Sequence, residues 1–423
     1  MNYEEALRFI HGRPRMRKEP TLKRMTKFLA ELGNPQETIK AVHVAGTNGK
    51  GSTIAFLERM IQDTGHTVGT FTSPFLTRFN ERISVNGQPI NDQEIVDLVE
   101  IIKPIVEKMD QAQHGGPLEF EIVTAMMFIY FKKHPVDIVL IEVGIGGKFD
   151  STNVFTPIIS VITNVGFDHM EILGDTLSKI ATQKAGIIKK RVPVITGAKS
   201  DDVLKVLKSR SKRESAALKI IGQDFKIDEE NNFKNEQTII SNLSSGLLGV
   251  YQIDNLAVSI ETMIMLSQIL NWTINFEQLK KSIRLTSWAG RMEIVGQKPE
   301  IILDGAHNLP GIEALIQSVT RYWPNQKVYV LAAILEDKLF NQMLEKLVQP
   351  ANVNVFLTNF SGPGKRQAVK KVELTSELKK SVQYEENWQD ALQKIRQEAK
   401  EDDVIVVTGS LYFISEVRPN FKK

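Results

Sequence analysis

Ala41-Val42-His43-Val44-Ala45-Gly46-Thr47-Asn48-Gly49-Lys50-Gly51-Ser52 joins an apolar run to a glycine-rich turn and then to a segment with helical spacing. A buried strand, such a turn and a helix beginning at Ser52 together form a phosphate-binding junction. Glycines let backbone N–H groups approach an anion, the helix N-terminus adds partial positive charge, and a lysine reaches the terminal phosphates. The match to G-x-x-x-x-G-K-[ST] is altered. Val44 stands at the first glycine position, Gly51 follows Lys50, and the hydroxyls of Ser52 and Thr53 come one place later. Gly46, Gly49, Gly51, Lys50 and both hydroxyls fall at one strand-to-helix junction, which argues against a chance turn. No asparagine precedes a lysine anywhere in the chain, so the N-K-x-D run of a GTPase switch is missing.

Outward from this junction, β-rich runs at Ala41–Ala45, Thr67–Thr72, Asp137–Val143, Ile158–Val165 and Val192–Thr196 alternate with helical spacing at Ser52–Gln62, Asp92–Met109, Glu121–Phe131 and Leu177–Lys189. Two further helices, Tyr3–Ile10 and Leu22–Leu32, precede them. Near-continuous apolar strands with helical crossovers predict a parallel sheet covered on both faces. Residues 199–246 turn polar and look peripheral, and a helix follows from about Gln252 to Leu270. Past Trp288-Ala289-Gly290-Arg291 the alternation restarts. Strands are predicted at Glu300–Leu303, Val328–Ala332, Val353–Leu357 and Val404–Val407, with helices at Gly311–Tyr322, Leu339–Leu347 and Trp388–Lys400. The expected fold is α/β: a P-loop N-terminal domain (1–290) with a mostly parallel sheet, and a smaller Rossmann-like α/β C-terminal domain (293–423).

The chain has 423 residues, 42% of them hydrophobic and 24% charged, in the range of globular proteins of two or three domains. A net charge of +3 gives no reason to expect a nucleic-acid or membrane partner. Zero cysteines exclude disulfides, thiolate metal sites and a cysteine nucleophile. Acidic residues stand near the start where a secretion signal needs basic ones, and no apolar run is expected to reach the roughly 18 residues of a bilayer span. A cytoplasmic location is the expectation.

Glycine, acid and hydroxyl residues recur at strand ends, where open α/β sheets bind ligands. These are Thr72-Ser73-Pro74-Phe75, Phe79-Asn80-Glu81-Arg82-Ile83, Glu142-Val143-Gly144-Ile145-Gly146-Gly147, Asp150-Ser151-Thr152-Asn153, Asp168-His169 and Lys184-Ala185-Gly186-Ile187. Further on come Tyr251-Gln252 with Asn255, Gly290-Arg291-Met292-Glu293, Asp304-Gly305-Ala306-His307-Asn308 and Thr408-Gly409-Ser410-Leu411-Tyr412. Together they offer hard oxygen ligands, imidazoles and cations suited to phosphoryl transfer. In this order the set resembles the folylpolyglutamate synthases, often bifunctional as dihydrofolate synthases, within the Mur ligase superfamily.

The resemblance implies an ATP-dependent ligase that joins L-glutamate to the carboxylate of a folate, or of dihydropteroate, through an acyl phosphate. By it, Thr47, Asn48, Gly49, Lys50, Gly51 and Ser52 hold the ATP phosphates, and Asn255, Arg291 and Asp304 hold the nucleotide. Ser73, Glu142 and His169 are implied ligands of two Mg²⁺ ions. Lys184 is implied to be carbamylated and catalytic, and a monovalent cation is admitted. Asp304, His307 and Ser410 are the implied catalytic group of the C-terminal segments, and Phe75, Arg82 and Phe120 fall in the folate region. A monomer is expected. Leu118 departs from a threonine common in the family, Gln183 from a glutamate and Lys148 from an arginine. Three alternatives stand beside this reading: a Mur-type ligase acting on a non-folate carboxylate, a non-catalytic ATP-dependent regulator, and a kinase, which would leave the phosphate on its acceptor. Cell-wall ligases carry a further domain ahead of the phosphate loop, whereas only two helices are expected before Gly46.

Overall fold

A computed structural model describes residues 1–15, 21–111, 115–362 and 366–421. The chain divides into two compact units, one formed by Met1–Ser244 with Asp254–Thr286, the other by Ser245–Ile253 with Ser287–Lys423.

The first unit is built on an eight-stranded sheet. Its strands are β1 (Ala41–Ala45), β2 (Val68–Phe71), β3 (Ile83–Val85), β4 (Gln88–Pro89), β5 (Ile138–Glu142), β6 (Ile159–Ile162), β7 (Val194–Thr196) and β8 (Leu218–Ile220), in the order β4-β3-β2-β5-β1-β6-β7-β8. Strands β2, β5, β1, β6, β7 and β8 run parallel, and the β3–β4 hairpin adds an antiparallel edge. Every residue of β1 and β5 is buried, as expected for strands covered on both faces. Register sets the site: Val44 pairs with Glu142 and Ala45 with Ile162, so the segments after β1, β5 and β6 emerge side by side. On one face, the Glu119–Lys133 helix buries Ile122 through Phe131 among Phe71, Val139 and Ile141.

Sequence patterning located most of this unit, and the differences have local causes. The helix after the phosphate loop begins at Lys50, because Gly49 takes a left-handed φ of 82° as its cap. The polar stretch after Lys199 contains a helix, Asp201–Arg213, and β8 extends the main sheet; only β9 (Phe225–Ile227), β10 (Phe233–Asn235) and β11 (Ile239–Ile240) form the small separate sheet. That helix buries Val203, Leu204 and Leu207 beneath a highly charged exposed face, and the charge hid its spacing. Helix Gln252–Leu270, 19 residues long, is apolar enough to cross a bilayer by composition, against the expectation that no segment would be. Its Leu256, Ala257, Ile260, Met263 and Leu266 are core residues of the folded unit.

The second unit holds β12 (Glu293–Gly296), β13 (Glu300–Leu303), β14 (Val328–Ala332), β15 (Val353–Asn359), β16 (Val382–Asn387) and β17 (Val404–Thr408), ordered β12-β13-β17-β14-β15-β16. All neighbours are parallel except β12 with β13. Ile302, Val330, Val355 and Val406 form its core with Leu315 and Leu344 from the covering helices. Ser245–Ile253 belongs to this unit although the sequence reading placed it before the boundary. Leu248 and Tyr251 pack on the core, and the Val250 N–H donates to Ser318 Oγ at 3.1 Å.

Candidate active site

The loop after β1 is held by the segment after β6. Thr47 N–H donates to Asn164 O at 3.1 Å and Asn48 N–H to Asn164 Oδ1 at 2.9 Å, while Thr163 Oγ1 donates to Asn48 O at 2.6 Å. A Cβ at Gly46 would overlap Thr163, and one at Gly49 would collide with the Asn255 side chain. Asn255, on helix Gln252–Leu270, therefore belongs with the phosphate loop in the first unit. Lys50 folds back over the loop, its Nζ 3.2 Å from Gly46 O and 3.7 Å from Glu142 Oε1. Ser52 and Thr53 are buried in the first turn of the helix.

Glu142 closes the adjoining strand, and its Oε2 accepts the Ser73 N–H at 3.1 Å. Arg82 donates from Nη1 to Ser73 Oγ at 3.0 Å and lies 5.2 Å from the centre of the Phe75 ring and 5.6 Å from that of Phe79. Its neighbour Glu81 shapes the turn by accepting the N–H groups of Leu76, Thr77 and Arg78. Phe120 lies 5.9 Å from Phe71, and a Cβ at Gly144 would strike its ring. Ser73, Phe75, Arg82, Phe120 and Glu142 thus occupy linked positions around the ends of β2 and β5.

Lys184 ends helix Leu177–Lys184 and is only 3% exposed. Burial lowers its pKa to about 7, Lys50 pushes the same way, and Asp168 and Asp150 oppose. The glycines of the loop after β5 permit this packing. A Cβ at Gly147 would meet the Lys184 backbone, and one at Gly186 would meet Lys148. Asn153 Nδ2 bridges Lys148 O at 3.2 Å and Gly186 O at 3.1 Å. His169, with φ 49°, lies beside Asp168, its Nε2 3.8 Å from Asp168 Oδ2.

In the second unit Asp304 is 2% exposed, and its own chain engages both oxygens. Oδ2 accepts the Tyr251 hydroxyl and the Met292 N–H, each at 2.9 Å, and Oδ1 accepts the Ala306 N–H at 2.9 Å. Burial raises its pKa, against the opposing pull of Arg291 and of these donors. His307 Nδ1 lies 2.8 Å from Gly305 O; a carbonyl only accepts, so Nδ1 carries the proton. Ser410 caps helix Leu411–Val417 through the Tyr412 N–H. Sequence reading counted Asp304 and Ser410 as catalytic, and both are buried in local hydrogen bonding.

Magnesium takes oxygen ligands, with one or two carboxylates completed by phosphates and water. Glu142 and Ser73 have that chemistry; the His169 imidazole is a softer donor. Among the described residues no three His, Asp or Glu side chains converge as a metal cage. Such a donor set suits an ion that arrives with a nucleotide.

A phosphate loop beside a carboxylate, followed by a second α/β unit, fits an ATP-dependent ligase, and the family matches establish that class. The family model described as the Mur ligase middle domain matches residues 44–263, and that of the Mur ligase glutamate ligase domain matches 290–411. A dihydrofolate synthase/folylpolyglutamate synthase of Bacillus subtilis is 39% identical, with 99% of each chain covered. A folylpolyglutamate synthase of Lacticaseibacillus casei is 36% identical over 99% of this chain and 98% of its own. Among solved structures, one described as an FPGS-AMPPCP-folate complex superposes with a TM-score of 0.88 at 34% identity, with full coverage of both chains. A Mycobacterium tuberculosis folylpolyglutamate synthase complexed with ADP gives a TM-score of 0.89 at 26% identity, covering 100% of this chain and 98% of its own. The chain belongs to the Mur ligases and, within them, to the folylpolyglutamate synthase/dihydrofolate synthase family.

Several functional positions escaped the sequence reading. Asn164 and Thr163, which hold the phosphate loop, carried no motif. Tyr251 and Asp150 lie in the Tyr251-Gln252 and Asp150–Asn153 motifs, whose spacing alone gives them no role. His43 was visible as an imidazole inside an otherwise apolar strand.

Proposed function

We propose that the protein adds L-glutamate to the terminal carboxylate of a reduced folate at the cost of ATP, through an acyl phosphate. The observation that carries this reading is Lys50, folded over a phosphate loop and 3.7 Å from Glu142. A bifunctional reading, in which dihydropteroate is also converted to dihydrofolate, is favoured by the B. subtilis relative, which bears both names across nearly the whole chain.

A free carboxylate is a poor acyl donor because oxide would have to leave. Attack of a carboxylate oxygen on the γ-phosphorus releases ADP and makes an acyl phosphate. The α-amine of glutamate then adds to the acyl carbon, and the tetrahedral intermediate expels inorganic phosphate to leave an amide. Lys50 and the N–H groups at the start of its helix, from Gly49 on, offset the negative charge on the phosphoryl oxygens, while the N–H groups of Thr47 and Asn48 stay with Asn164 and hold the loop in shape. Glu142 and Ser73 would hold Mg²⁺, with His169 as a further donor, and the ion would supply Lewis-acid polarisation of the phosphoryl group. Asn255 packs directly against Gly49, so its part in nucleotide binding is proposed to act through the loop. Arg82, Phe75 and Phe120 offer a cation and aromatic faces to a pterin-bearing acid.

Lys184 is the proposed carbamate-forming residue. An amine with a pKa near 7 is substantially neutral at physiological pH and can add to the carbon of CO₂, losing a proton and becoming an anion. In the second unit His307, with Nδ1 protonated, presents Nε2 as its basic nitrogen for the incoming ammonium. Asp304 and Ser410 act as positioning residues, Asp304 by holding Tyr251 and Met292, and Ser410 by capping its helix. Arg291, electrostatically coupled to Asp304, offers a cation to nucleotide or glutamate. The ligase is taken to work as a cytoplasmic monomer.

The test is incubation with ATP, Mg²⁺, glutamate and either a tetrahydrofolate or dihydropteroate, followed by product masses. Added glutamyl units with stoichiometric ADP are expected, and ¹⁸O placed in the acceptor carboxyl should appear in the released phosphate. Phosphate free of label would overturn the acyl phosphate.

A further inference from the structure

The Asp150-Ser151-Thr152-Asn153 motif is left without a task by the mechanism above, and its neighbours in space supply one. Thr152 Oγ1 lies within hydrogen-bond distance of both Asp150 Oδ1 and His43 Nε2, the latter at 2.8 Å. His43 points from the centre of β1 into the core, fully buried, with Phe155 5.0 Å away. Asp150 accepts further N–H groups from Thr152 at 3.0 Å and from Ile145 at 2.9 Å.

Proton counting fixes the polarity of this chain. Burial raises the Asp150 pKa, but N–H groups donate to both of its oxygens, which holds it as the carboxylate; a hydroxyl has one proton and the carboxylate is the stronger acceptor, so Thr152 donates to Asp150. His43 must then donate from Nε2, and its Nδ1, buried without a partner, is the bare nitrogen. Burial favours the neutral ring that this tautomer requires, lowering the His43 pKa to about 3. The donors converge on Asp150, which anchors the start of the loop whose glycines pack against the Lys184 backbone.

We propose that His43 and Thr152 are positioning residues for the ligase reaction. In this arrangement a relay of fixed polarity, His43 Nε2–H to Thr152 Oγ–H to Asp150, clamps the Gly144–Lys148 loop and thereby seats Glu142 and Lys184. The inference rests on the proposed function for its activity readout, and on geometry alone for its spectroscopic one.

Thr152→Val keeps the shape and removes both hydrogen bonds. Its kcat should fall roughly ten- to a hundredfold with the ATP KM within about twofold, because the loop shifts while the phosphate loop stays. Thr152→Ser should restore most of the rate. His43→Gln, which keeps a donor, should exceed His43→Leu. Unchanged kcat in Thr152→Val, or equal rates in the two His43 variants, would overturn the relay. Should Thr152→Val fail to fold, ¹⁵N NMR of the wild-type histidines decides: His43 is expected as a neutral Nε2–H tautomer across pH 5–8, and an Nδ1–H tautomer would refute it. A wild-type protein that forms no glutamyl product would overturn the functional reading while leaving the tautomer result to stand on its own.

Discussion

The strand ends of the two units use charge in opposite ways. In the first unit two ammonium groups, Lys50 and Lys184, are gathered near Glu142 at the strand ends. Lys50 is 3.7 Å from its carboxylate, and the buried Lys184 ammonium is penalised. In the second unit Asp304, the one buried carboxylate among that unit's described residues, is saturated by Tyr251, Met292 and Ala306. A saturated carboxylate cannot exchange partners during a reaction without exposing buried donors, whereas gathered ammonium groups can offset the charge of a phosphoryl group. The contrast supports the proposal that the first cluster stabilises charge and that the second presents Arg291 and His307 rigidly.

The largest expected effect tests the first half of that contrast. Lys184→Ala should lower kcat by roughly a thousandfold or more while the melting temperature holds or rises, since a buried amine is removed. Near-normal turnover would break the assignment and remove the carbamate with it. Lys50→Ala should lower kcat/KM by roughly a hundred- to a thousandfold, with nucleotide affinity measured separately by calorimetry. If only affinity fell, Lys50 would be an anchor and not a stabiliser of developing charge.

Smaller effects sharpen the second half. His307→Ala should reduce kcat by about ten- to a hundredfold with ATP KM nearly unchanged; a loss confined to KM would move His307 to nucleotide binding. Asp304→Ala should act first on stability, by about 3 kcal/mol, because it strands a buried hydroxyl and N–H groups. Denaturant unfolding should show that loss, and Asp304→Asn should recover part of it. An Asp304→Ala protein of normal stability but no activity would return the residue to the reacting atoms.

How far the sequence carried this division depended on whether the relevant physics was local. The strand–loop–helix junction at Ala41–Ser52 was legible because strand burial and glycine placement lie within a dozen residues. The Asp201–Arg213 helix was not, since its apolar stripe of Val203, Leu204 and Leu207 is diluted by lysine and arginine. The grouping of Ser245–Ile253 with the second unit depends on Tyr251 meeting Asp304, 53 residues away. The motif order named Glu142, Lys184 and Asp304 alike as site residues. Only the tertiary partners separate the buried Lys184 amine from the saturated Asp304, and the same holds for His43, whose partner Thr152 lies 109 residues away.

The subtlest test of the contrast is a stability measurement against pH. Lys184 has a folded pKa near 7, below that of a lysine in an unfolded chain, about 10.4. Between those values the unfolded state binds more protons, so stability rises with pH through that window; below it both states are charged and the burial penalty is fully present. Lys184→Met removes the penalty at every pH. In CO₂-free buffer the variant should therefore exceed the wild type in melting temperature most at pH 6, and by less at pH 9, without the difference vanishing there. A gap that stayed constant from pH 6 to pH 9 would mean that the ammonium is compensated in the fold. The first cluster would then resemble the second, and the neutral amine required for carbamate formation would lose its physical basis.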